Sequence, residues 1–401
     1  MQRTDWAERF LEKFVSVPLT WENVFRSPEY ADKTSKELVD LLLILRNRGI
    51  FISMKCQQDP LSRSREKLER WVQRNAQAAL KQVQGGIRTS QVKEFWCIHQ
   101  RRQRVSFKAN QIIPVRAFVI VETLEPVALD NAIPLEVKGV PVTYLSVNDF
   151  LNLMLELRTI NDLLQYLEER GSLTEKLQRT VGNERSFFEY YLLHRGSFPR
   201  SVTLQEIKAQ LSRREHDIKE IVMQKKEADS QAEIIERVSN DLSRRLENYA
   251  DGLDDATISR FDSASKRTNY LLMQDELCDL VLDERRKIGA GLSTAIEKVR
   301  SENADMLYQA VSLTSKPDFL YILSSTKGIP RGDIISRGQS LLMSGLSYYV
   351  KKRGLFLNYT QDRDGFELVL VRDFQDSASL KELGQQLFSK LKIADLPVDR
   401  F

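Results

Sequence analysis

Glu37, Asp40, Ser53 and Lys55 punctuate the stretch KELVDLLLILRNRGIFISMK, residues 36 to 55. Two acids stand at the mouth of one apolar run, and a lysine ends the next. Carboxylates beside an ammonium group suit a hard cation such as Mg2+ or Mn2+, with the lysine positioning or activating an attacking water. The competing reading is an ordinary ion pair at strand ends, which contributes little. Both runs are apolar on both faces, so their polar ends belong to a sheet covered on both sides, and that gives the constellation a reason to exist.

A hairpin has to position these groups. VDLLLIL and GIFISMK are short, bounded by turn signals and joined by RNRG, which predicts an antiparallel pair of buried strands. Side chains two apart share a face of a strand, so Ser53 and Lys55 point the same way, and Gln57 joins them if the strand continues. Asp40 opens the first strand, where sheet twist brings it toward the face of Ser53 and Lys55.

The stretch resembles the core of the PD-(D/E)xK nuclease superfamily, whose motif places an acid at the start of one strand and (D/E)-x-K in the next. The resemblance covers about residues 1 to 165. It implies a restriction-endonuclease-like mixed sheet flanked by helices. Asp40 then matches the metal-binding acid, Lys55 the motif lysine and Gln57 the polar residue just beyond. Ser53 stands where the superfamily has Asp or Glu, and a serine does not replace a carboxylate as a strong metal ligand. The missing acid is then sought at Glu37 or, on the first helix, at Glu12. The implied activity is Mg2+- or Mn2+-dependent hydrolysis of phosphodiester bonds, of DNA rather than RNA, as an accessory or defence nuclease against foreign DNA. The alternative is a catalytically inactive nuclease fold that binds nucleic acid or protein as a scaffold.

Charge adds a second line. From Arg63 to Lys108 the chain carries twelve basic residues against three acids, although the whole protein is only +4. Arg63, Lys67, Arg70, Arg74 and Lys81 belong to this cluster, the footprint of a phosphate-binding surface. A solvated helix face is the plainer explanation, but the segment follows directly on the proposed metal strand. No aromatic ladder accompanies it, and no helix-turn-helix or zinc-finger pattern appears, so the expected binding is salt-sensitive and weakly sequence-selective.

The wider elements form an α/β protein in three parts. In residues 1 to 170, DWAERFLEKFV predicts a first helix, and residues 62 to 84 a second that the diglycine Gly85-Gly86 stops. RVSFK, RAFVIVET and PVTYLS read as strands, followed by helices that close at Gly171. Residues 171 to 315 read as a charged helical connector, with a capping box at TLQE and an aromatic helix core at RSFFEYYLLHRG. Residues 316 to 401 read as a small α/β domain. It comprises the strand DFLYILSS, a helix burying Ile334, Ile335, Leu341, Leu342, Leu346 and Val350, a hairpin turning at RDG, and a final helix.

Other chemistries lack parts. Cys56, Cys97 and Cys278 are widely spaced, as are His99, His194 and His216, which leaves little for a zinc site, a disulfide framework or a Ser-His-Asp triad. GGIRTS, TKGIPRGD and KIGAGLST lack P-loop spacing and read as turns or packing glycines. Without a long apolar run, a soluble cytoplasmic protein is expected, with no membrane partner. Residues 171 to 401 are the expected surface for a homo-oligomer or a partner protein.

Overall fold

The computed structural model describes residues 3–16, 23–30, 36–57, 64–100, 103–247, 263–389, 391 and 394–396. The chain is a mixed α/β protein that divides into two units, Met1–Met223 with Ser243–Ser263, and Gln224–Leu242 with Ala264–Arg400. The boundaries expected at 170 and 315 do not fall there.

The first unit contains α1 (Arg3–Ser16), β1 (Val24–Tyr30), β2 (Lys36–Glu37), β3 (Leu41–Leu45), β4 (Arg48–Lys55), α2 (Arg65–Val92), β5 (Phe95–His99), β6 (Gln103–Phe107) and β7 (Ile113–Val121). It continues through β8 (Val127–Ala128), β9 (Glu136–Val137), β10 (Val140–Ser146), α3 (Val147–Leu157), α4 (Ile160–Arg170), α5 (Glu175–Gln178), β11 (Thr180–Val181), α6 (Glu184–Leu193) and α7 (Leu204–Arg213). The sheet runs β6-β5-β1-β3-β4-β7-β10-β9. Its centre is an antiparallel meander β1-β3-β4, with β7 parallel to β4 and β10 parallel to β7.

The predicted hairpin is present. Leu41 pairs with Ile52 and Leu45 with Arg48 across a two-residue turn in which Arg46 takes φ 58. Among the strands that the sequence does not mark, β1 matters most for the site. β1 contains Pro28 and is shifted in register against β5 between Arg26 and Glu29, so neither alternation nor composition marks it.

The diglycine does not stop α2, which continues to Val92. An added Cβ on Gly86 would lie 2.8 Å from Leu38 O and 3.0 Å from Val39 Cγ1. The bare glycine therefore lets the helix rest directly on the chain leading into β3. Leu68, Trp71, Val72, Ala76, Ala79, Val83 and Ile87 bury that helix face with Leu42, Phe51, Val119 and Val121 of the sheet. Gly86→Ala is expected to cost about 1–3 kcal/mol by overpacking, despite alanine's better helix propensity, as urea unfolding will measure.

Residues 171 to 213 join the first unit, where β11 pairs with β8 and α6 packs on α3. The aromatic helix core was predicted correctly: Phe187, Phe188, Tyr190 and Tyr191 of α6 are buried. So was the capping box, with Thr203 and Glu206 bonding each other's backbone. α8 (Glu215–Glu247) contributes to both units.

The second unit adds α9 (Ser263–Cys278), α10 (Leu282–Glu302), β12 (Met306–Leu313), β13 (Lys316–Thr326), α11 (Arg331–Tyr348), β14 (Arg353–Thr360), β15 (Gly365–Val371), α12 (Ala378–Phe388) and β16 (Ala394–Leu396). Its sheet order is β15-β14-β13-β12-β16. One face carries Ile235, Val238 and Leu242 of α8 with Leu277 of α9 and Ile288 and Leu292 of α10. The other carries Ile334, Leu341, Leu342 and Leu346 of α11. Ile335 and Val350, expected inward, are exposed; Val350 lies past the helix end with φ 54. No helix among the described residues is long and apolar enough to cross a membrane.

Candidate active site

Asp40 sits one residue before β3, and its backbone N–H donates to Ile52 O at 3.0 Å. That bond extends the hairpin register by one pair and sets Asp40 across from Ser53 on the same face. The two side chains meet: Ser53 Oγ lies 3.1 Å from Asp40 Oδ2, which also accepts the Met54 N–H at 2.5 Å. Both residues are buried, Asp40 at 5% exposure and Ser53 at zero.

The third component comes from α2. Gln82 Nε2 donates to Asp40 Oδ1 at 3.1 Å, while Gln82 Oε1 accepts from Ser53 Oγ at 2.8 Å and from Lys55 Nζ at 2.9 Å. Lys55 therefore communicates with Asp40 through a neutral amide. The carboxylate accepts from the Met54 N–H and from Gln82 Nε2, the one Ser53 hydroxyl proton is shared between it and Gln82 Oε1, and the ammonium rests on the amide oxygen, so each charge has polar partners inside the protein. Gln82 escaped the sequence reading because its role depends on how closely α2 approaches the sheet, and Gly86, one turn onward, sets that approach.

Gln57 is buried two residues beyond Lys55. Its backbone N–H donates to Glu122 Oε2 at 2.5 Å, and its Nε2 donates to Glu122 O at 2.9 Å. Glu122 follows β7, where its own N–H donates to Lys55 O at 3.0 Å. It was also overlooked, although an acid directly after the apolar run VIV was a legible sign. Gln57 Oε1 is buried without a donor.

The two reserve acids lie elsewhere. Glu37 is exposed on β2, opposite Glu29 of β1, in a strand that pairs with β1 and not with β4. Glu12 is buried, but it accepts from Arg26 Nε at 3.1 Å. Arg26 pairs with Leu41 in the β1–β3 register, whereas Phe25 beside it packs into the core under α2. Strand alternation therefore puts Arg26 and Glu12 on the opposite sheet face from Asp40, Ser53 and Lys55. Glu12 is corrected from metal ligand to an ion-pair partner across the sheet. Burial raises its carboxyl pKa, against the lowering pull of Gln100 and Arg26.

The chain matches no family model, no curated protein and no solved structure. The site must be judged on its own atoms. Among the described residues no group of three or more His, Cys, Asp and Glu side chains could hold a metal ion. The oxygens at hand are one carboxylate, the Ser53 hydroxyl and the Gln82 amide. Such hard donors fit Mg2+ or Mn2+ when water and substrate phosphate complete the shell, and they do not fit a soft metal.

Lys67, Arg70, Arg74 and Lys81 are all exposed on α2, the helix that carries Gln82. Arg63 lies outside the described residues.

Proposed function

We propose that the first unit is a metal-dependent nuclease that hydrolyses phosphodiester bonds of DNA, with Asp40, Ser53, Lys55 and Gln82 as its centre. The observation that supports this most is the convergence of Asp40 and Lys55, fifteen residues apart in sequence, on one amide at the end of adjacent strands. Asp40, with Gln82 and Ser53, would hold Mg2+ or Mn2+. When bound, the ion supplies Lewis-acid stabilisation of the phosphoryl oxygens and lowers the pKa of a water. Lys55 would orient the attacking water and neutralise charge developing on the phosphoryl oxygens. The attacking water would give up a proton to solvent as its oxygen bonds to phosphorus, the bond from phosphorus to the leaving sugar oxygen would break, and that oxygen would take a proton from solvent. Gln57 and its partner Glu122 would anchor the strand end that carries Lys55.

A specific observation favours a second reading, a nuclease-derived scaffold without catalysis. Ser53 supplies no second carboxylate, and the Asp40 carboxylate is already held by the Met54 N–H, Gln82 Nε2 and the shared Ser53 hydroxyl of the protein itself. Incubating the purified chain with supercoiled plasmid, with and without Mg2+ or Mn2+, separates the two. Metal-dependent nicking supports the enzyme, and intact plasmid at every metal concentration leaves the scaffold.

A further inference from the structure

Lys67, Arg74, Lys81 and Arg88 follow one another at intervals of seven residues along α2. Seven residues return a helix to nearly the same side, drifting about 20° per step. The four cations therefore form one shallowly winding row, each step about 10 Å and the whole about 31 Å long. All four are exposed, and Arg70 lies beside the row.

Two features separate this row from an ordinary solvated helix face. From Arg70 to Lys93 the sequence contains no acid. None of the four cations has a carboxylate partner among the described residues, whereas several exposed cations on other helices are paired, as Lys219 is with Glu215 at 2.6 Å and Arg185 with Glu189 at 2.9 Å. Four fixed, unneutralised charges on one rigid rod present a polyanion site.

The row also has a way into the site. Gln82 follows Lys81 and lies at the boundary between the exposed and buried faces. Ala78 and Gly85, four residues before it and three after, border it on the exposed side, and a Cβ added to Gly85 would meet nothing within 4 Å. Small residues thus leave open ground between the cations and the amide that bridges Asp40 to Lys55.

We infer that this face of α2 is a docking track for double-stranded nucleic acid, with the duplex lying along the helix and one phosphate ridge directed over Ala78 and Gly85 toward Gln82. The row's length approaches one duplex turn of about 34 Å, so its two ends reach phosphates on successive turns. The exposed row contains no aromatic side chain on which separated bases would stack, which disfavours a single strand. The inference rests on the nuclease reading for the point of cleavage, while duplex binding is measurable without any cutting.

The test is fluorescence anisotropy in EDTA with a mixed-sequence DNA duplex of about 21 base pairs, two turns, and with a single strand of the same length. The wild type should bind the duplex at least tenfold more tightly, with log K falling against log salt at a slope of about −4. The double variant Arg74→Glu with Lys81→Glu should flatten that slope to about −2 or less, while Arg213→Glu on α7 leaves it unchanged. Gly85→Leu should weaken duplex binding without lowering Tm. Equal or tighter binding of the single strand, absence of duplex binding, or a slope unchanged in the double variant overturns the track. Duplex binding by a wild type that never nicks DNA sustains the track and removes only the nuclease reading. Nicking that survives the double variant at full rate does the reverse.

Discussion

Glu184→Ala is expected to destabilise the protein by about 3–5 kcal/mol, the largest single-residue effect in the first unit, because it strands a buried guanidinium. Arg170 Nε donates to Glu184 Oε1 at 2.6 Å and to Oε2 at 2.8 Å, with the two side chains 3% and 1% exposed. Tyr166 OH is a second donor to this carboxylate, at 2.5 Å from Glu184 Oε1. Asp149 completes the knot by accepting the Glu184 N–H at 3.2 Å and the Gly182 N–H at 2.8 Å. These bonds tie α3, α4 and α6 together on the sheet face opposite α2. Burial and the neighbouring Glu184 carboxylate push the Tyr166 phenol well above its ordinary pKa, so the tyrosine remains a donor throughout the working pH range. Removing one charge costs far more than removing both, so the double variant Arg170→Met with Glu184→Leu should recover much of the loss. Urea denaturation of the three variants measures this, and a loss below about 1 kcal/mol in Glu184→Ala would mean that the pair is not buried as described.

The second large effect is a gain that depends on metal. Ser53→Asp adds a second carboxylate and places it against Asp40, since Ser53 Oγ already lies 3.1 Å from Asp40 Oδ2. Two buried carboxylates so close cannot both ionise without a cation, so the metal-free variant should lose about 2–4 kcal/mol. Saturating Mg2+ should return about 2.7 kcal/mol at a hundredfold excess over Kd, seen as a rise in Tm absent from the wild type at equal concentration. Adding Asp40→Asn to Ser53→Asp should abolish the rise. A melting temperature of Ser53→Asp indifferent to Mg2+ and Mn2+ would argue that this end of the hairpin does not gather a divalent ion.

The hairpin was legible because local information specifies it: two apolar runs too short for helices, a tight turn between them, and a side-chain period of two. That period alone placed Ser53 and Lys55 on one face. Gln82 was not legible because nothing local reports how near α2 comes to β3; Gly86 determines that distance and looks in sequence like a helix stop. Glu12 was misplaced for a related reason. Without β1, whose proline conceals it, the side of the sheet that α1 covers cannot be deduced. In the second unit, α9 and α10 were absorbed into a charged connector because their apolar positions are sparse, yet Leu277, Ile288 and Leu292 suffice to cover one sheet face.

The initial rate of plasmid nicking in Mg2+, compared among the wild type, Asp40→Asn and Lys55→Ala with duplex binding measured on the same preparations, tests the assignment of the site most directly. The structure leads us to expect a metal-dependent rate in the wild type that falls by at least about a hundredfold in each variant while binding stays within about twofold. Undiminished nicking by both variants, or a wild type that binds duplex and leaves it uncut in every divalent metal, would contradict the assignment.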